Sequence, residues 1–439
     1  MAAMDPIFDQ SPAQMAELLH KTGRRRGYVV RDPETGELRA SDPLFESLVP
    51  LLSDEAKVGP AHEGLFVEAA RDAKTLFVAA VHGTRRGQAQ GGLRHWPYER
   101  ATDCIHDALR LSRGMTRKIA ASGLWWGGGK GIIARAPEPR YGNPTYRQLI
   151  FREYGAFVSS LRGLYVTAED AGTTPPDVAD VFATTRFATC IPPEFGGAGN
   201  PSQMTAEGVL RAMEAGLAFL DLGTLAGKKV VLEGGGHVGS ALIELLLERS
   251  VGSVVVAEIS ADRRAALGDR FADQPVEIRA EEPGDHSILA EPCDVLAPCA
   301  LGGVIGPKSI PSLETKLVCG AANNQLLDDA RDGAALEARG ITAVPDFIAN
   351  RMGIVHCGNE QTGYVPNDPM IRRHLDRSVE DGVHGTTLAV LERARAEGVP
   401  PILAANELAD EKARELHPIH GHRGAQIIQG LIDDGWENS

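Results

Sequence analysis

Val230-Val231-Leu232-Glu233-Gly234-Gly235-Gly236-His237-Val238-Gly239 is the stretch that decides the fold. An apolar run ends in a GxGxxG loop, and after it Val238, Ala241, Leu242 and Leu245 share a helical face, so the glycines fall on a strand-to-helix turn. A bare glycine pattern is weak evidence, but this context gives each glycine a task. Gly234 permits the tight turn, Gly236 lets backbone approach a pyrophosphate, and Gly239 lets the helix pack on the strand. The new helix, beginning near His237 and Val238, offers amide donors and a partial positive charge to that anion. A ligand-free glycine turn is the alternative. Glu258 ends the next apolar run, nineteen positions after Gly239. A carboxylate there accepts both adenosine ribose hydroxyl protons and repels a 2′-phosphate, which favours NAD over NADP. Arg263 and Arg264 lie just beyond and keep NADP open, and a solvated strand-end charge is a third reading of Glu258.

Outward from this loop, short β-branched runs alternate with helical ones between Gly227 and about Ala349: Val230-Val231-Leu232, Val254-Val255-Val256, Asp294-Val295-Leu296 and Lys316-Leu317-Val318. That alternation predicts a parallel, doubly wound sheet of the Rossmann type. A chain of 439 residues is too long for one core. The expected class is therefore α/β with two domains: a first α/β domain over 1–200, a Rossmann-type dinucleotide domain over 201–364, and C-terminal helices over 365–439 packing back on the first. In the first domain, Leu76-Phe77-Val78-Ala79-Ala80-Val81 reads as a buried strand. Ile105, Ala108 and Leu109 mark a helix that feeds a glycine-rich loop at Gly127-Gly128-Gly129. Residues 1–64 read as a loosely patterned, turn-rich region.

A formal charge of −14 and the absence of a long basic run argue against a nucleic-acid or anionic-membrane surface. The short cluster Arg24-Arg25-Arg26 reads as a solvated loop. Six scattered cysteines without a CxxC pair fit free thiols in a reducing compartment rather than a disulfide framework or zinc site. With no signal segment or membrane-length apolar run, the cytoplasm is the expected location. His417, His420 and His422 read as a solvated tail rather than metal ligands, so no metal is expected.

Three polar residues stand out for chemistry. Lys118 and Lys130 bracket the nearly uncharged Ile119-Ala120-Ala121-Ser122-Gly123-Leu124-Trp125-Trp126-Gly127-Gly128-Gly129. A desolvated lysine there has a lowered pKa and serves proton transfer near neutrality; an exposed loop charge is the competing reading. Asp170 sits where the apolar Tyr165-Val166-Thr167-Ala168 runs into Glu169-Asp170 and a turn, placed either for catalysis or for capping that turn. Trp125 and Trp126 read as core.

Several ordered motifs resemble the glutamate/leucine/phenylalanine/valine dehydrogenases, closer to the leucine and phenylalanine branch. They are Gly91-Gly92-Leu93-Arg94, Ser112-Arg113-Gly114-Met115-Thr116-Arg117-Lys118, Gly127-Gly128-Gly129-Lys130, Thr167-Ala168-Glu169-Asp170-Ala171-Gly172-Thr173-Thr174, Pro201-Ser202-Gln203-Met204-Thr205-Ala206, the GxGxxG, Ala297-Pro298-Cys299-Ala300-Leu301-Gly302-Gly303 and Gly320-Ala321-Ala322-Asn323-Asn324-Gln325-Leu326. The resemblance implies NAD-dependent, reversible oxidative deamination of an L-amino acid to a 2-oxo acid and ammonia by a homo-oligomer. It implies that Lys118 binds the α-carboxylate beside Gly91, Gly92 and Met115. Lys130 then polarises the carbonyl or activates water, and Asp170 shuttles the proton. Thr205 and Asn324 face the nicotinamide half, and Ala300 is another cofactor neighbour. Gln90, Ile354 and Cys357 fall at side-chain pocket positions. Gln90 departs from the leucine of branched-chain and aromatic enzymes and the lysine of glutamate enzymes; it bonds either a polar substrate or local backbone. Asn350-Arg351-Met352-Gly353 replaces a pattern resembling Asn-Ala-Gly-Gly and puts bulky residues where small ones line the cleft. That substitution raises two expectations: Arg351 meets an acidic substrate group, or the chain is a divergent relative with imine-reducing or coupling chemistry.

Overall fold

The computed structural model describes residues 8–55, 60–72, 74–135 and 139–439. Two sheets carry the chain. The first has seven strands in the order β2-β1-β3-β4-β6-β5-β7: β1 Arg26–Arg31, β2 Leu38–Ala40, β3 Gly64–Ala69, β4 Leu76–Gly83, β5 Ala89–Pro97, β6 Gly127–Arg135 and β7 Tyr165–Glu169. Its β1 to β4 half is antiparallel, while β5 runs parallel to both β6 and β7. The second sheet is wholly parallel: β8 Lys229–Glu233, β9 Ser253–Glu258, β10 Val276–Ala280, β11 Val295–Pro298, β12 Leu317–Val318 and β13 Thr342–Ala343, ordered β10-β9-β8-β11-β12-β13. The chain leaves β8 for β9 on one side and later returns as β11 on the other, so a crevice opens above the carboxyl ends of β8 and β11. All four strands expected in this sheet are present; β10 and β13 carry too little apolar patterning to stand out. No described helix is long and apolar enough to cross a membrane.

Four expectations change. The N-terminal region is not loose: Pro12–Lys21 is a helix with a Ser11/Gln14 capping box, and β1 and β2 extend the first sheet. Residues 1–7 and 56–59 of that stretch lie outside the described residues. Its strands were hard to read because Arg26 and Arg31 flank a short apolar centre. Within the basic cluster, Arg26 opens β1, and Arg25 and Arg26 pair with buried Glu68 at 2.8 and 2.7 Å, Arg26 being mostly covered while Arg25 keeps solvent contact. Gly127-Gly128-Gly129 is the start of β6 and not a loop. Absent side chains hid the strand pattern there, while closely packed neighbours supply the burial. The C-terminal helices divide their loyalties. Val383–Glu397 packs on Ser202–Phe219, which covers the second sheet; Pro401–Ala413 packs on Ala101–Ala121; and Arg423–Asp433 adds Ile428 and Leu431 to the core of the first sheet.

Candidate active site

Register builds the first half of the site. Lys130 follows Gly128 and Gly129 on β6, and its side chain shares a face with Ile132, whose cluster includes Ala80 of β4 and Ile105, Ala108 and Leu109 of helix Ala101–Ala121. Gln90 pairs with Gly128 and with Val166, and Gly92 pairs with Ala168. Alternation therefore brings Gln90, Gly92, Arg94, Lys130, Ala168 and the strand-end Asp170 onto one face, beneath the helix that carries Met115 and Lys118. Gly92 is required at its place, because a Cβ there would lie 2.6 Å from Asp170 Cβ.

On that face Lys130 is 4% exposed and its ammonium donates to Asp170 Oδ2. The strand position settles the reading of Lys130 left open above: it is a buried, paired cation and not a loop charge. The turn that follows is closed by the Asp170 backbone and the Thr173 hydroxyl, so the Asp170 carboxylate is left to Lys130 and does not cap the turn. Burial pushes the Asp170 carboxyl up, but the Lys130 ammonium, its hydrogen bond and the Arg94 guanidinium 3.7 Å away together hold it below the usual carboxylate range. Arg94 is fixed in turn by Asp107 of the helix at 2.6 Å. Its part in the site was missed, although its period-two spacing from Gln90 and Gly92 was a usable signal.

Lys118 reaches across to the second sheet's loops. Its ammonium donates to Asn323 Oδ1 at 3.3 Å, and Asn350 Nδ2 holds the same oxygen at 2.9 Å. Lys118 retains some solvent contact, yet protein surrounds it. Desolvation lowers its pKa to about 8, partly opposed by the charges of Asp346 and Asp170. Desolvation likewise raises Asp346 to about 6, against the amide of Asn324, which donates to its Oδ2 at 2.8 Å, and the Lys118 charge. Nothing in the sequence pointed to Asp346; it joins the site only through the fold.

The second half of the site is made of backbone. Gly234 has φ +100°, and a Cβ there would meet Ala300 at 2.8 Å, whereas a Cβ on Gly236 would meet nothing within 4 Å. The space at Gly236, which caps helix His237–Glu248, is open at the end of the helix where an anion such as a pyrophosphate could be held. His237 is exposed there, Val238 half-buried and Gly239 buried. Glu258 is buried rather than solvated; its carboxylate accepts from Gly235 N at 3.1 Å and Ser260 N at 2.8 Å, beside that loop. Arg264 spends its guanidinium on the carbonyls of Glu258 and Ile259, each at 2.8 Å, and Arg263 is exposed. Thr205 donates to Pro201 O at 2.9 Å, Ala300 is exposed, and Asn324 is exposed at φ +52°.

At the side-chain end, Cys357 is buried with Ala168 and Cys190, its sulfur 2.8 Å from that of Cys190, and Ile354 is nearly buried. Glu360 gathers the amides of Cys190, Ile191 and Ala198 at 2.5, 3.0 and 2.8 Å, tying the loop after β7 to the segment that bears Cys357. The bulky pair expected in the cleft turns away from it. Met352 fills the core of the second sheet against Gly208. Arg351 is fully buried and donates to Ala121 O and Thr386 Oγ1, both at 3.0 Å, and to Asp381 O. Neither the acidic-substrate role nor the imine-reducing or coupling alternative gains support from these two residues. The tryptophans are not core either: Trp125 is 40% exposed, with Arg86 over its ring, and Trp126 is half-buried.

A lysine–aspartate face set against a Rossmann sheet defines the class: a two-domain dinucleotide-binding oxidoreductase. Residues 74–187 match the Glu/Leu/Phe/Val dehydrogenase dimerisation domain, and residues 256–421 match the Glutamate/Leucine/Phenylalanine/Valine dehydrogenase model. The chain is 39% identical over 338 residues to the leucine dehydrogenase of Thermoactinomyces intermedius, covering 76% of this chain and 86% of that one. It is 36% identical over 362 residues to the valine dehydrogenase of Streptomyces coelicolor, covering 81% and 93%. The solved L-tryptophan dehydrogenase of Nostoc punctiforme superposes with a TM-score of 0.64 at 30% identity, over 82% of this chain and 98% of that one. The chain belongs to the glutamate/leucine/phenylalanine/valine dehydrogenase family of amino-acid dehydrogenases, whose members use nicotinamide cofactors.

Proposed function

We propose that this enzyme uses NAD to oxidise an L-amino acid with an apolar, aromatic or mildly polar side chain, giving the 2-oxo acid and ammonia, and catalyses the reverse amination. The observation that carries the reading is the Lys130–Asp170 pair on the sheet face below Lys118. Lys118 holds the α-carboxylate, with Gly91, Gly92 and Met115 alongside. Asp170, kept ionised by Lys130 and Arg94, takes the proton released from the α-amino group. A nicotinamide held near Thr205 and Asn324 would supply the acceptor for the Cα hydride. Lys130 orients the water that adds to the resulting imine, and Asp170 returns a proton to the departing nitrogen; amino acid, water and NAD⁺ would thus give 2-oxo acid, ammonium, NADH and a proton. Side chains on both sides of the cleft exclude bulk water during this step.

The buried Glu258 and the engagement of Arg264 with backbone favour NAD over NADP. Thr205, Gly234, Gly236, His237, Val238, Gly239, Ala300 and Asn324 are the remaining cofactor contacts in this reading. Residues 1–200 form the catalytic and oligomerisation domain, 201–364 the NAD domain, and 365–439 the helices that brace both. The matched dimerisation domain supports a homo-oligomer, the six free cysteines fit a cytoplasmic enzyme, and the acidic charge fits small-molecule partners rather than nucleic acid or membrane. Lys130→Ala tests the assignment: NADH formation disappears with every amino acid while NADH binding persists. Retained turnover overturns the role of Lys130.

A further inference from the structure

We infer that Cys190 and Cys357 are a reversible oxidation site: hydrogen peroxide joins them in a disulfide that holds the two sides of the cleft together and slows the enzyme. The inference rests on the dehydrogenase reading above for the turnover that is slowed, while the bond itself is independent of it.

The two sulfurs lie 2.8 Å apart in a small buried cluster with Ala168. A disulfide spans about 2.05 Å, so only a small shift separates this contact from a bond. The sulfurs come from opposite sides. Cys190 closely follows Ala188, which bridges to Thr167 of β7 in the first sheet. Cys357 ends the helix Met352–His356, whose Met352 and Val355 belong to the core of the second sheet. Reversible contacts tie the two segments: the Glu360 carboxylate on three amides, His356 Nε2 against Ala198 O at 2.9 Å, and Gln361 Nε2 donating to Ala188 O at 2.8 Å. A covalent bond among them makes the tie permanent until it is reduced. Cys190 also sits at φ +59°, a conformation that glycine takes freely and cysteine only under strain.

The two thiols divide the chemistry. Cys190 is 5% exposed, and a cavity of about 460 Å³ reaches its neighbour Ile191 and its partner Glu360, a route wide enough for peroxide. Cys357 is fully buried, and its hydrogen bond with Cys190, together with burial, pushes its thiol up, so it keeps its proton. Cys190 therefore attacks first, as the thiolate. Its sulfur takes one peroxide oxygen, the O–O bond breaks, and the hydroxide that leaves recovers the proton Cys190 released, giving water and a sulfenic acid. The Cys357 sulfur then displaces that oxygen as a second water, which carries off the Cys357 proton, and the S–S bond forms. Two thiols are oxidised and one peroxide is reduced. An added thiol reverses the step by exchange.

The test treats the enzyme with a few equivalents of hydrogen peroxide, maps its peptides by mass without reductant, and measures kcat and the NADH dissociation rate before and after. A peptide cross-linked through Cys190 and Cys357 appears, both rates fall by about fivefold or more because opening of the cleft is restrained, and dithiothreitol restores them. Cys190→Ser yields no cross-link and keeps the rates it had before treatment. If that variant does not fold, Cys357→Ala carries the test, since it yields no cross-link and its NADH dissociation rate does not fall. A wild type without the cross-link, a cross-link that leaves both rates unchanged, or equal slowing of the variant overturns the inference. The cross-link and NADH dissociation are read without an amino acid, so absence of turnover with every amino acid overturns the dehydrogenase reading alone.

Discussion

In the seven-stranded sheet the groups that matter are side chains, brought to one face by register: Gln90, Lys130 and Asp170 come from three adjacent strands or their ends. In the six-stranded sheet they are largely backbone: a positive-φ glycine, an open glycine N-cap and a helix terminus above the crevice between β8 and β11. A reacting substrate needs groups that move protons, and only side chains offer them. A dinucleotide needs to be held, and amides together with one carboxylate suffice. The two halves should therefore fail differently when damaged.

The sharpest way to break that contrast is Lys130→Ala, which removes the proton-handling cation. Turnover should fall by about 10³-fold or more with NADH affinity changed less than about threefold. A large loss of NADH binding, read by fluorescence titration, would mean that the halves are not separable. Gly92→Ala is next. Its Cβ would collide with Asp170 Cβ, so kcat should drop by about 10²-fold through misplacement of the carboxylate, again with cofactor binding intact. Unaltered kcat would show that Asp170 has room to shift.

Gly236→Ala sharpens the other side. Because a methyl there meets nothing within 4 Å, the protein should fold with an unchanged Tm, while NADH binding weakens by about tenfold as the methyl occupies the space proposed for the pyrophosphate. Equal affinity would displace the pyrophosphate from that site. The smallest effect concerns Lys118, a charge on the first half that reaches the second. Lys118 carries its proton below about 8 and loses it above, so its hold on a carboxylate is present at low pH and lost as pH rises. The Kd of a 2-oxo acid in the presence of NADH should be flat below pH 7 and rise about fivefold between pH 8 and 9. The Asp346 charge raises the Lys118 pKa, so Asp346→Asn should shift this rise to lower pH. A shift to higher pH would refute the coupling.

Much of the site was legible, for reasons that differ by residue. The dinucleotide loop was plain because its chemistry is local: strand, glycines and helix are contiguous, and Glu258 follows at the end of the next strand. Lys130 and Asp170 were visible as candidates, but each carried a bland alternative that sequence could not remove. A run of glycines gives no period-two pattern, so β6 passed for a loop and the loop-charge reading of Lys130 stayed open. Arg351 and Met352 were misplaced for the opposite reason. Their bulk was evident, but the direction of each side chain depends on Ala121, Asp381, Thr386 and Gly208, which are remote in the chain.

By itself the amino-acid sequence determined the α/β class, the Rossmann half, the motif set of the family and the residues able to carry charge and protons, since periodicity and short motifs are properties of contiguous chain. Tertiary structure alone decided which of those groups meet. Strand register put Lys130 against Asp170, loop packing brought Asp346 and Asn323 to Lys118, and a distant threonine, Thr189, took the buried Gln90 amide at 2.7 Å. Partnership and desolvation are set by neighbours far apart in the chain, and it is these that turn a candidate residue into a working one.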